Sequence, residues 1–273
     1  EVSFATPPLI YEIVEGALVA CFKEIGVTVP TPFRRMTYAT AMAKYGSDKP
    51  DLRFGLEIQD FGPLFKDSPF GIFREAIEHG GTVRGFVIPG AAKYSRKQVD
   101  DLVDLAKQAG AGGLIYTRYT AEGVQVSAKA IGEGGARKVL EASGASKEDL
   151  LVLASGAPDN ASKILGQLRL LVAKKENLIP EGKWELTWVT DFPLFDWNTD
   201  EKRWDSVNHP FTAPREEDLH MLESDPGKVL AKAYDVILNG WELGAGSIRI
   251  HDRDTQAKVF RLLGLRSEEH TSE

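Results

Sequence analysis

The stretch Trp241-Glu242-Leu243-Gly244-Ala245-Gly246-Ser247-Ile248-Arg249-Ile250-His251 decides how the second half of the chain folds. Apolar and polar residues alternate over Ile248–His251, which predicts a strand with the arginine on its polar face. Glu242 is an odd number of positions away from Arg249, so a regular strand would place the two side chains on opposite faces. A bulge at Gly244–Gly246 would bring both side chains to one face.

Asp235 lies just upstream, in a segment whose apolar residues recur every three or four positions. These residues are Val229, Leu230, Ala233, Tyr234, Ile237 and Leu238. The spacing predicts a helix that begins at Asp225-Pro226 and ends before Asn239-Gly240. The sequence therefore places Asp235 on a helix that precedes the strand.

The charged residues of this region point to a binding chemistry. Two neighbouring carboxylates, those of Asp235 and Glu242, suit Mg²⁺ held against phosphate oxygens. Arg249 on a strand suits bidentate capture of a carboxylate. A hairpin that carries only a surface salt bridge explains the same spacing, so the residues alone leave both interpretations open.

The beginning of the chain predicts a well-marked helix. Thr6 is placed to cap it, Pro7 and Pro8 suit its first turn, and Gly26 follows its end. Its apolar stripe consists of Ile10, Val14, Ala17, Leu18, Cys21, Phe22 and Ile25. Cys21 lies on this stripe, which predicts a buried core thiol. A single cysteine cannot form an internal disulfide, which favours a reducing compartment.

The middle of the chain alternates between short β-type runs and amphipathic helices. The predicted strands are Val83–Ile88, Leu114–Tyr119, Val124–Ser127 and Leu150–Ala154, and the predicted helices are Arg96–Ala109, Glu133–Ala142 and Asn160–Lys175. Ser95 and Gln98 form a capping box, and Asp159 is placed to cap the last helix. This alternation predicts a compact α/β module of its own.

The composition limits the kind of protein. A chain of 273 residues suggests about two domains, and 42% hydrophobic with 27% charged residues excludes a disordered or fibrous protein. The net charge of −7 argues against general coating of DNA, although a local basic patch could still contact RNA. No apolar run approaches the roughly 18 residues of a membrane span, and no secretory signal opens the chain. We therefore expect a cytoplasmic protein without membrane contact.

Three further segments carry candidate residues. Asn208-His209 could bind a ligand, although a lone histidine beside proline is more often structural. Asp191 and Asp196 could act as paired acids, but residues of this kind are more typical of strand ends and turns. The loop Gly46–Arg53 carries four charges in eight residues, and a turn explains its glycine, serine and proline but not its lysine and arginine.

Four segments together carry a family resemblance. They are Tyr45-Gly46-Ser47-Asp48-Lys49-Pro50-Asp51-Leu52-Arg53, Trp188-Val189-Thr190-Asp191-Phe192-Pro193-Leu194-Phe195, His209-Pro210-Phe211-Thr212 and Gly244-Ala245-Gly246-Ser247-Ile248-Arg249-Ile250-His251. With these segments in this order, the chain from about Glu1 to Leu265 resembles bacterial-type aspartyl-tRNA synthetase, a class II aminoacyl-tRNA synthetase. The block from about Phe70 to Lys175 is similar to the GAD-like insertion domain that these enzymes share with the B subunit of the tRNA-dependent amidotransferase.

The resemblance implies an α+β fold, in which the antiparallel sheet of class II synthetases and its flanking helices are interrupted by the α/β insertion domain. It also implies ATP-dependent activation of L-aspartate to aspartyl-adenylate, followed by transfer of the aspartyl group to tRNA. Arg249 would then clamp the aspartate side chain. Glu242 would bind ATP and, together with Asp235, would hold Mg²⁺.

The resemblance further implies that the residues at 208 and 209 contact aspartate. The family usually has histidine at the first of these positions, whereas this chain has Asn208 followed by His209. Asparagine can hydrogen-bond a carboxylate but cannot become charged. Ala245 also replaces a usual glycine, which would strain the backbone if that position needed a positive φ.

The resemblance divides the chain into residues 1–69 as the first part of the catalytic core, 70–178 as the insertion domain and 179–265 as the second part of the core. Residues 266–273 contain no apolar residue and resemble the translation of a sequencing adapter, so we expect a non-native tail. Further ATP-binding arginines and the anticodon-binding domain would lie outside this chain. We therefore expect no aminoacylation by this chain alone.

Two functions remain open at this point. The first is an aspartate–tRNA ligase, expected to be a homodimer at full length, with aspartate-accepting tRNA as partner and asparagine-accepting tRNA left open. The second is a non-catalytic, tRNA-facing scaffold built around the insertion domain. Convergence of Asp235, Glu242 and Arg249 on one sheet-lined pocket would favour the ligase. Separately, Lys49 and Arg53 either face the tRNA acceptor end or the amino-acid pocket, or belong to a structural turn.

Overall fold

A computed structural model describes residues 1–66 and 71–265, apart from the side chains of residues 71, 72 and 130. The predicted boundary between residues 69 and 70 and the predicted tail, residues 266–273, lie outside the described residues. The helices are α1 (Pro7–Glu24), α2 (Tyr38–Tyr45), α3 (Gly62–Phe65), α4 (Gly71–Glu78), α5 (Arg96–Gln108), α6 (Gly132–Ser143), α7 (Pro158–Lys175) and α8 (Arg253–Leu262). The strands are β1 (Arg34–Thr37), β2 (Gln59–Asp60), β3 (Thr82–Ile88), β4 (Ile115–Thr120), β5 (Gly123–Val126), β6 (Leu150–Gly156), β7 (Leu186–Thr190), β8 (Phe195–Asn198), β9 (Arg203–Ser206), β10 (Ala233–Leu238) and β11 (Trp241–Ser247).

The chain forms two compact units. The first contains Glu1–Ala39 and the chain from Trp184 onward, and the second contains Thr40–Lys183. The second unit therefore begins well before residue 70, where the sequence places the start of an insertion. The reason is local packing: β2 pairs with β3, and Ile58 lies in the same core cluster as the helices α5 and α7.

The first unit is built on a sheet with the strand order β1-β7-β10-β11. The pair β1–β7 is parallel, and the pairs β7–β10 and β10–β11 are antiparallel. Helix α1 covers one face of this sheet through a cluster that includes Tyr11, Phe22, Trp188, Tyr234 and Val236. The expected α+β class with largely antiparallel strands is confirmed.

A buried carboxylate fixes α1 to the sheet. Glu15 is 6% exposed, and its two oxygens accept hydrogen bonds from the indole N–H of Trp188 at 2.9 Å and the backbone N–H of Phe33 at 3.2 Å. Both donors are thereby satisfied in a region that excludes water. Four residues of the predicted apolar stripe, Ile10, Val14, Leu18 and Phe22, pack in this core cluster, on the same side of the helix as Glu15. The prediction that Cys21 is a core thiol is wrong, since Cys21 is exposed.

The helix predicted from Asp225 to Leu238 is also wrong. Only Pro226–Lys228 forms a short 3₁₀ turn, and Ala233–Leu238 is the strand β10. Five of the six residues of β10 are buried, because the strand lies between β7 and β11 with both faces covered. The apolar residues of β10 do not alternate with polar ones, because only Asp235 interrupts them, so their spacing also satisfies a helical pattern.

The residues expected to stop that helix instead make a hairpin turn. Asn239 and Gly240 have φ values of 53° and 87°, and they connect β10 directly to β11. Two consecutive residues with positive φ are the signature of a type I′ turn, for which Asn-Gly is the preferred pair. The Asn-Gly signal thus marks the point where the chain reverses into the strand that carries Glu242.

The second unit has a sheet with the order β2-β3-β6-β4-β5, in which every pair is antiparallel. Neighbouring residues of β6 point to opposite faces: Leu150 and Val152 pack with α5 and α7, whereas Leu151 and Leu153 pack with α4 and α6. The predicted alternation of strands and helices and the capping box at Ser95 are confirmed. Strand β6 lies between β3 and β4 and pairs antiparallel with both, so β3 and β4 are not neighbours. The last helix has Ala157 at its N-cap position and no side-chain capping bond, and Asp159, the predicted cap, lies in its first turn.

Helix α7 holds the loop that follows α2. The backbones of Gly46 and Gly166 approach so closely that a Cβ on Gly166 would lie 2.7 Å from the carbonyl oxygen of Tyr45. Arg169, which is 1% exposed, donates hydrogen bonds to the carbonyl oxygens of Asp51, Phe54, Gly55 and Leu56. Burial lowers the pKa of Arg169 to about 10, so its guanidinium still carries a proton at neutral pH.

We expect Glu15→Gln to destabilise the first unit by about 1–3 kcal/mol, because an amide NH₂ would face one of the two buried N–H donors. Glu12→Gln is the matched control, since Glu12 lies on the same helix and is exposed. All five tryptophans belong to the first unit, so tryptophan fluorescence during urea denaturation reports the unfolding of that unit. Equal midpoints for the two variants would show that the carboxylate does not hold the helix.

Candidate active site

Asp235 lies on the face of the sheet that α1 does not cover. Its neighbours along β10, Tyr234 and Val236, pack in the α1 cluster, and successive side chains of a strand point to opposite faces. Asp235 is 5% exposed and lies opposite Ala245 on β11. The face that α1 does not cover therefore carries a buried carboxylate, that of Asp235 on β10.

A bulge brings Glu242 to the same face. Val236 pairs with Gly244, but the next residue, Ile237, pairs with Glu242, so Leu243 is the extra residue. Ile237 is two positions from Asp235 and shares its face, and paired residues of an antiparallel ladder point to one side. Glu242 therefore lies about 7 Å along the strand direction from the level of Asp235. The expected bulge exists, although it lies one residue before the predicted Gly244–Gly246.

Arg249 reaches this face beyond the end of β11. A strand is predicted over Ile248–His251, but the observed strand β11 ends at Ser247. Arg249 forms an isolated antiparallel bridge with Thr212. The Thr212 hydroxyl donates to the Ser247 hydroxyl at 3.2 Å, and Ser247 lies opposite Ala233. Because Ala233 alternates with Asp235, the register places Arg249 on the face of Asp235 and Glu242.

The three predicted site residues differ in exposure. Asp235 is buried, whereas Glu242 and Arg249 are exposed. Burial raises the pKa of the Tyr234 phenol, and the positive charge of Arg249 opposes this rise. This effect places the guanidinium near the Tyr234 phenol, and the shared face with Asp235 rests on the strand register alone. The register brings the three residues to one sheet face, with Glu242 on β11 and Arg249 beyond its end both open to solvent.

Asn208 and His209 lie in an exposed turn just before Thr212, the residue that bridges to Arg249. The Nδ1 atom of His209 accepts a hydrogen bond from the backbone N–H of Phe211 at 3.2 Å. An acceptor at Nδ1 leaves the ring proton of the neutral imidazole on Nε2, where it is available as a donor. The turn leads directly into Thr212, the partner of Arg249, so it lies at the arginine end of the site.

The second pair of candidate acids takes separate partners. Asp191 accepts hydrogen bonds from the Thr190 hydroxyl at 2.8 Å and from Arg215 at 3.3 Å. Asp196 is exposed on the hairpin β8–β9, opposite Asp205. Asp191 follows the end of β7, as the strand-end interpretation predicts, whereas Asp196 lies inside the strand β8.

The loop Gly46–Arg53 is an ordered part of the second unit. Arg53 donates to both carboxylate oxygens of Asp51, with an Nη2–Oδ2 distance of 2.6 Å. Burial alone would raise the pKa of Asp51, but hydrogen bonds from Arg53 outweigh burial and hold that pKa below its usual value. The structural-turn interpretation therefore accounts for Arg53, and a tRNA or substrate contact of Lys49 stays a prediction.

The donor set of the sheet face fits a divalent cation. In residues 1–66 and 71–265, no group of three or more His, Cys, Asp or Glu side chains is arranged to hold a metal ion. Mg²⁺ typically binds one or two protein carboxylates and takes its other ligands from water and substrate phosphates. The carboxylates of Asp235 and Glu242 on one face match that requirement.

Comparison with known proteins identifies the family. Residues 1–273 match the family model described as tRNA synthetases class II (D, K and N). The chain belongs to this family. The face described above is therefore one side of a class II synthetase sheet, and the α+β class expected from the sequence agrees with the family.

Three relatives show how similar the chain is to curated members of the family. The chain is 44% identical over 271 residues to Aspartate–tRNA(Asp/Asn) ligase of Caldanaerobacter subterraneus subsp. tengcongensis, covering 98% of this chain and 46% of the relative. It is 45% identical over 271 residues to the protein of the same name from Heliobacterium modesticaldum, covering 98% and 45%. It is 43% identical over 272 residues to Aspartate–tRNA ligase of Ruminiclostridium cellulolyticum, covering 98% and 46%. The chain thus spans a little under half the length of these relatives.

Sequence reasoning missed the support of the site by Thr212 and by the glycines of β11. Thr212 is 1% exposed. Its hydroxyl donates to Ser247 and its backbone bridges to Arg249, so it connects segments that are distant in sequence. Gly246 leaves room for the Tyr234 ring, because a Cβ on Gly246 would lie 2.6 Å from the Tyr234 Cε2 atom. The Gly-Ala-Gly run signalled the second feature, but only the register shows which glycine is needed.

Among the described residues, no helix has the length and apolar character needed to span a membrane.

We expect Gly246→Ala to destabilise the first unit by about 1–3 kcal/mol, since the Tyr234 ring is packed against Tyr11 and Trp188 and cannot retreat. Gly244→Ala is the control, because its Cβ would meet only Val236 at an ordinary 3.9 Å. Urea denaturation followed by tryptophan fluorescence measures both changes. Unfolding of the two alanine variants at the same urea concentration would contradict the requirement for glycine at position 246.

Proposed function

We propose that this chain is part of an aspartate–tRNA ligase, which activates L-aspartate with ATP and transfers it to tRNA. The observation that carries the proposal is the strand register, which gives Asp235, Glu242 and Arg249 one face of the sheet. The names of the relatives, which are aspartate–tRNA ligases, support the same activity. A non-catalytic scaffold would not need these three side chains to share a face.

In this proposal Arg249 selects the substrate. A guanidinium presents parallel N–H donors that match the two oxygens of a carboxylate. It therefore holds the aspartate side chain and discriminates against asparagine, whose neutral amide offers one acceptor oxygen. The Nε2–H of His209 and the amide of Asn208, in the turn beside the arginine strand, would donate further hydrogen bonds to the bound amino acid.

The acidic end of the face would bind the nucleotide. Asp235 and Glu242 would hold Mg²⁺, which supplies positive charge to the ATP phosphates when it is bound. Buried Asp235 is fixed by its strand, whereas Glu242 is exposed on the outer strand and can adjust to a phosphate ligand. The two acids thus set the position of the nucleotide relative to the arginine end of the site.

The reaction begins when the α-carboxylate of aspartate attacks the α-phosphate of ATP. A new oxygen–phosphorus bond forms, pyrophosphate leaves, and the product is aspartyl-adenylate. In the second step a hydroxyl at the 3′ end of tRNA attacks the aspartyl carbonyl and AMP leaves. Arg249 touches the side-chain carboxylate and not the reacting atoms, so it orients the substrate throughout both steps.

The partners follow from this chemistry. We propose L-aspartate, ATP and aspartate-accepting tRNA as substrates, and a homodimer for the full-length enzyme in the cytoplasm. Relatives carry both the Asp/Asn name and the Asp name, so asparagine-accepting tRNA belongs to the proposal as a second acceptor.

The test is binding of a non-hydrolysable aspartyl-adenylate analogue to this chain, measured by isothermal titration calorimetry. We expect Arg249→Gln to weaken binding by about 10- to 100-fold, because charge-assisted hydrogen bonds to the side-chain carboxylate are lost. Arg261→Gln is the matched control, since Arg261 is an exposed arginine on α8 that forms an ion pair with Glu223 at 3.6 Å.

The same titration with an asparaginyl analogue tests selectivity. We expect the unmodified chain to bind it at least about 10-fold more weakly than the aspartyl analogue, and Arg249→Gln to abolish that preference. Equal affinity of the unmodified chain for the two analogues, or binding of neither, would contradict the proposed function.

A further inference from the structure

The second unit contains a polar cavity of about 320 Å³ at the β4–β5 edge of its sheet. It is lined by Arg96, Val99, Asp100, Tyr116, Arg118 and Gln125. A volume of this size falls within the range of pockets that hold small molecules or single nucleotides. None of the lining residues belongs to the sheet face that carries Asp235.

The floor of the cavity is a cross-strand pair. Arg118 on β4 lies opposite Gln125 on β5, and its Nε donates to Gln125 Oε1 at 2.8 Å. Its Nη1 donates to the carbonyl oxygens of Ala92 and Tyr94 at 2.6 and 2.9 Å. These bonds fix the plane of the guanidinium before any ligand arrives. The Nη2 atom makes no hydrogen bond with the described residues, so this nitrogen keeps its donors for a ligand.

The wall of the cavity is the first turn of α5. Arg96 is almost fully exposed, with its Nε 3.9 Å from the carboxylate of Asp100. Two arginines and one aspartate give the lining a net charge of plus one. That charge matches a single phosphodiester, which carries one negative charge, better than a triphosphate.

We propose that this cavity binds one nucleotide of a single-stranded RNA segment. The phosphodiester lies against Arg118 and Arg96, and the base lies against the Tyr116 ring. The site goes beyond the proposed function, on which it rests only in that tRNA would be the natural source of the RNA.

Two observations favour RNA over an acidic peptide. A peptide carboxylate would use only the arginines, whereas a nucleotide also offers a base, and bases stack on aromatic rings such as that of the partly buried Tyr116. Exposed Lys93 and Lys97 flank Arg96 in the sequence, and lysines of this kind bind neighbouring phosphates along a strand.

The experiment measures fluorescence anisotropy of a fluorescein-labelled single-stranded oligoribonucleotide titrated with this chain. We expect Gln125→Glu to weaken binding at least about five-fold, because it adds a negative charge to the cavity. The variant keeps an oxygen to accept from Arg118, so the fold is preserved, and a thermal melt checks this. Gln108→Glu is the matched control, since Gln108 is exposed at the other end of α5; its affinity stays unchanged.

A second pair of variants tests the phosphate contact. Arg96→Gln should weaken binding and reduce the salt dependence, log K against log salt, by about 0.7 for one lost single-strand phosphate contact. Arg137→Gln is the control, because Arg137 is an exposed arginine on α6, also paired with an acid one turn away, at 2.8 Å. Equal affinities and salt slopes for Arg96→Gln and Arg137→Gln would overturn the proposal.

Competition separates the possible ligands. Excess oligoribonucleotide without label should displace the probe, whereas AMP, inorganic phosphate and an oligo-aspartate peptide at the same phosphate or carboxylate concentration should not. If the peptide displaces the probe as well as RNA does, or if Gln125→Glu weakens AMP binding but not RNA binding, the assignment to an RNA strand is wrong. These outcomes do not depend on aspartate activation, so they are distinct from failure of the proposed function.

Discussion

The site depends on one extra residue in one hairpin. Leu243 has no partner of its own in the β10–β11 ladder, so the pairing passes from Val236–Gly244 to Ile237–Glu242. Without this bulge Glu242 would lie opposite Leu238 and would face α1. With it, one sheet face carries an acidic end for a nucleotide and a basic end for an amino-acid carboxylate.

The opposite face of the same sheet supplies the rigidity. The rings of Tyr11, Trp188 and Tyr234 pack together there, and Glu15 accepts hydrogen bonds from Trp188 on β7 and from Phe33, the residue before β1. Gly246 is needed because the Tyr234 ring lies across it. Packing against α1 thus fixes the strands that carry the site residues. The charged side chains on the other face are therefore not needed to hold the sheet in place.

The sequence predicts those elements whose pattern is local. The capping box at Ser95 and the amphipathic helices of the second unit are recognisable because their signals lie within a few residues of each other. Strand β10 is not, because burial on both faces removes the alternation that distinguishes a strand from a helix. Pairing of Thr212 with Arg249 depends on register between distant segments. Cys21 lies at the exposed margin of the apolar stripe, and which margin residues are buried depends on the sheet that packs against α1.

The most direct test of the account is the register of the hairpin in solution. In a NOESY spectrum of the isotopically labelled chain, cross-strand backbone contacts should connect Asp235 with Ala245 and Ile237 with Glu242, leaving Leu243 without a paired residue. Contacts that connect Ile237 with Leu243 and Leu238 with Glu242 would show a regular ladder. Glu242 would then lie on the α1 face, and the shared site of the two acids and the arginine would be contradicted.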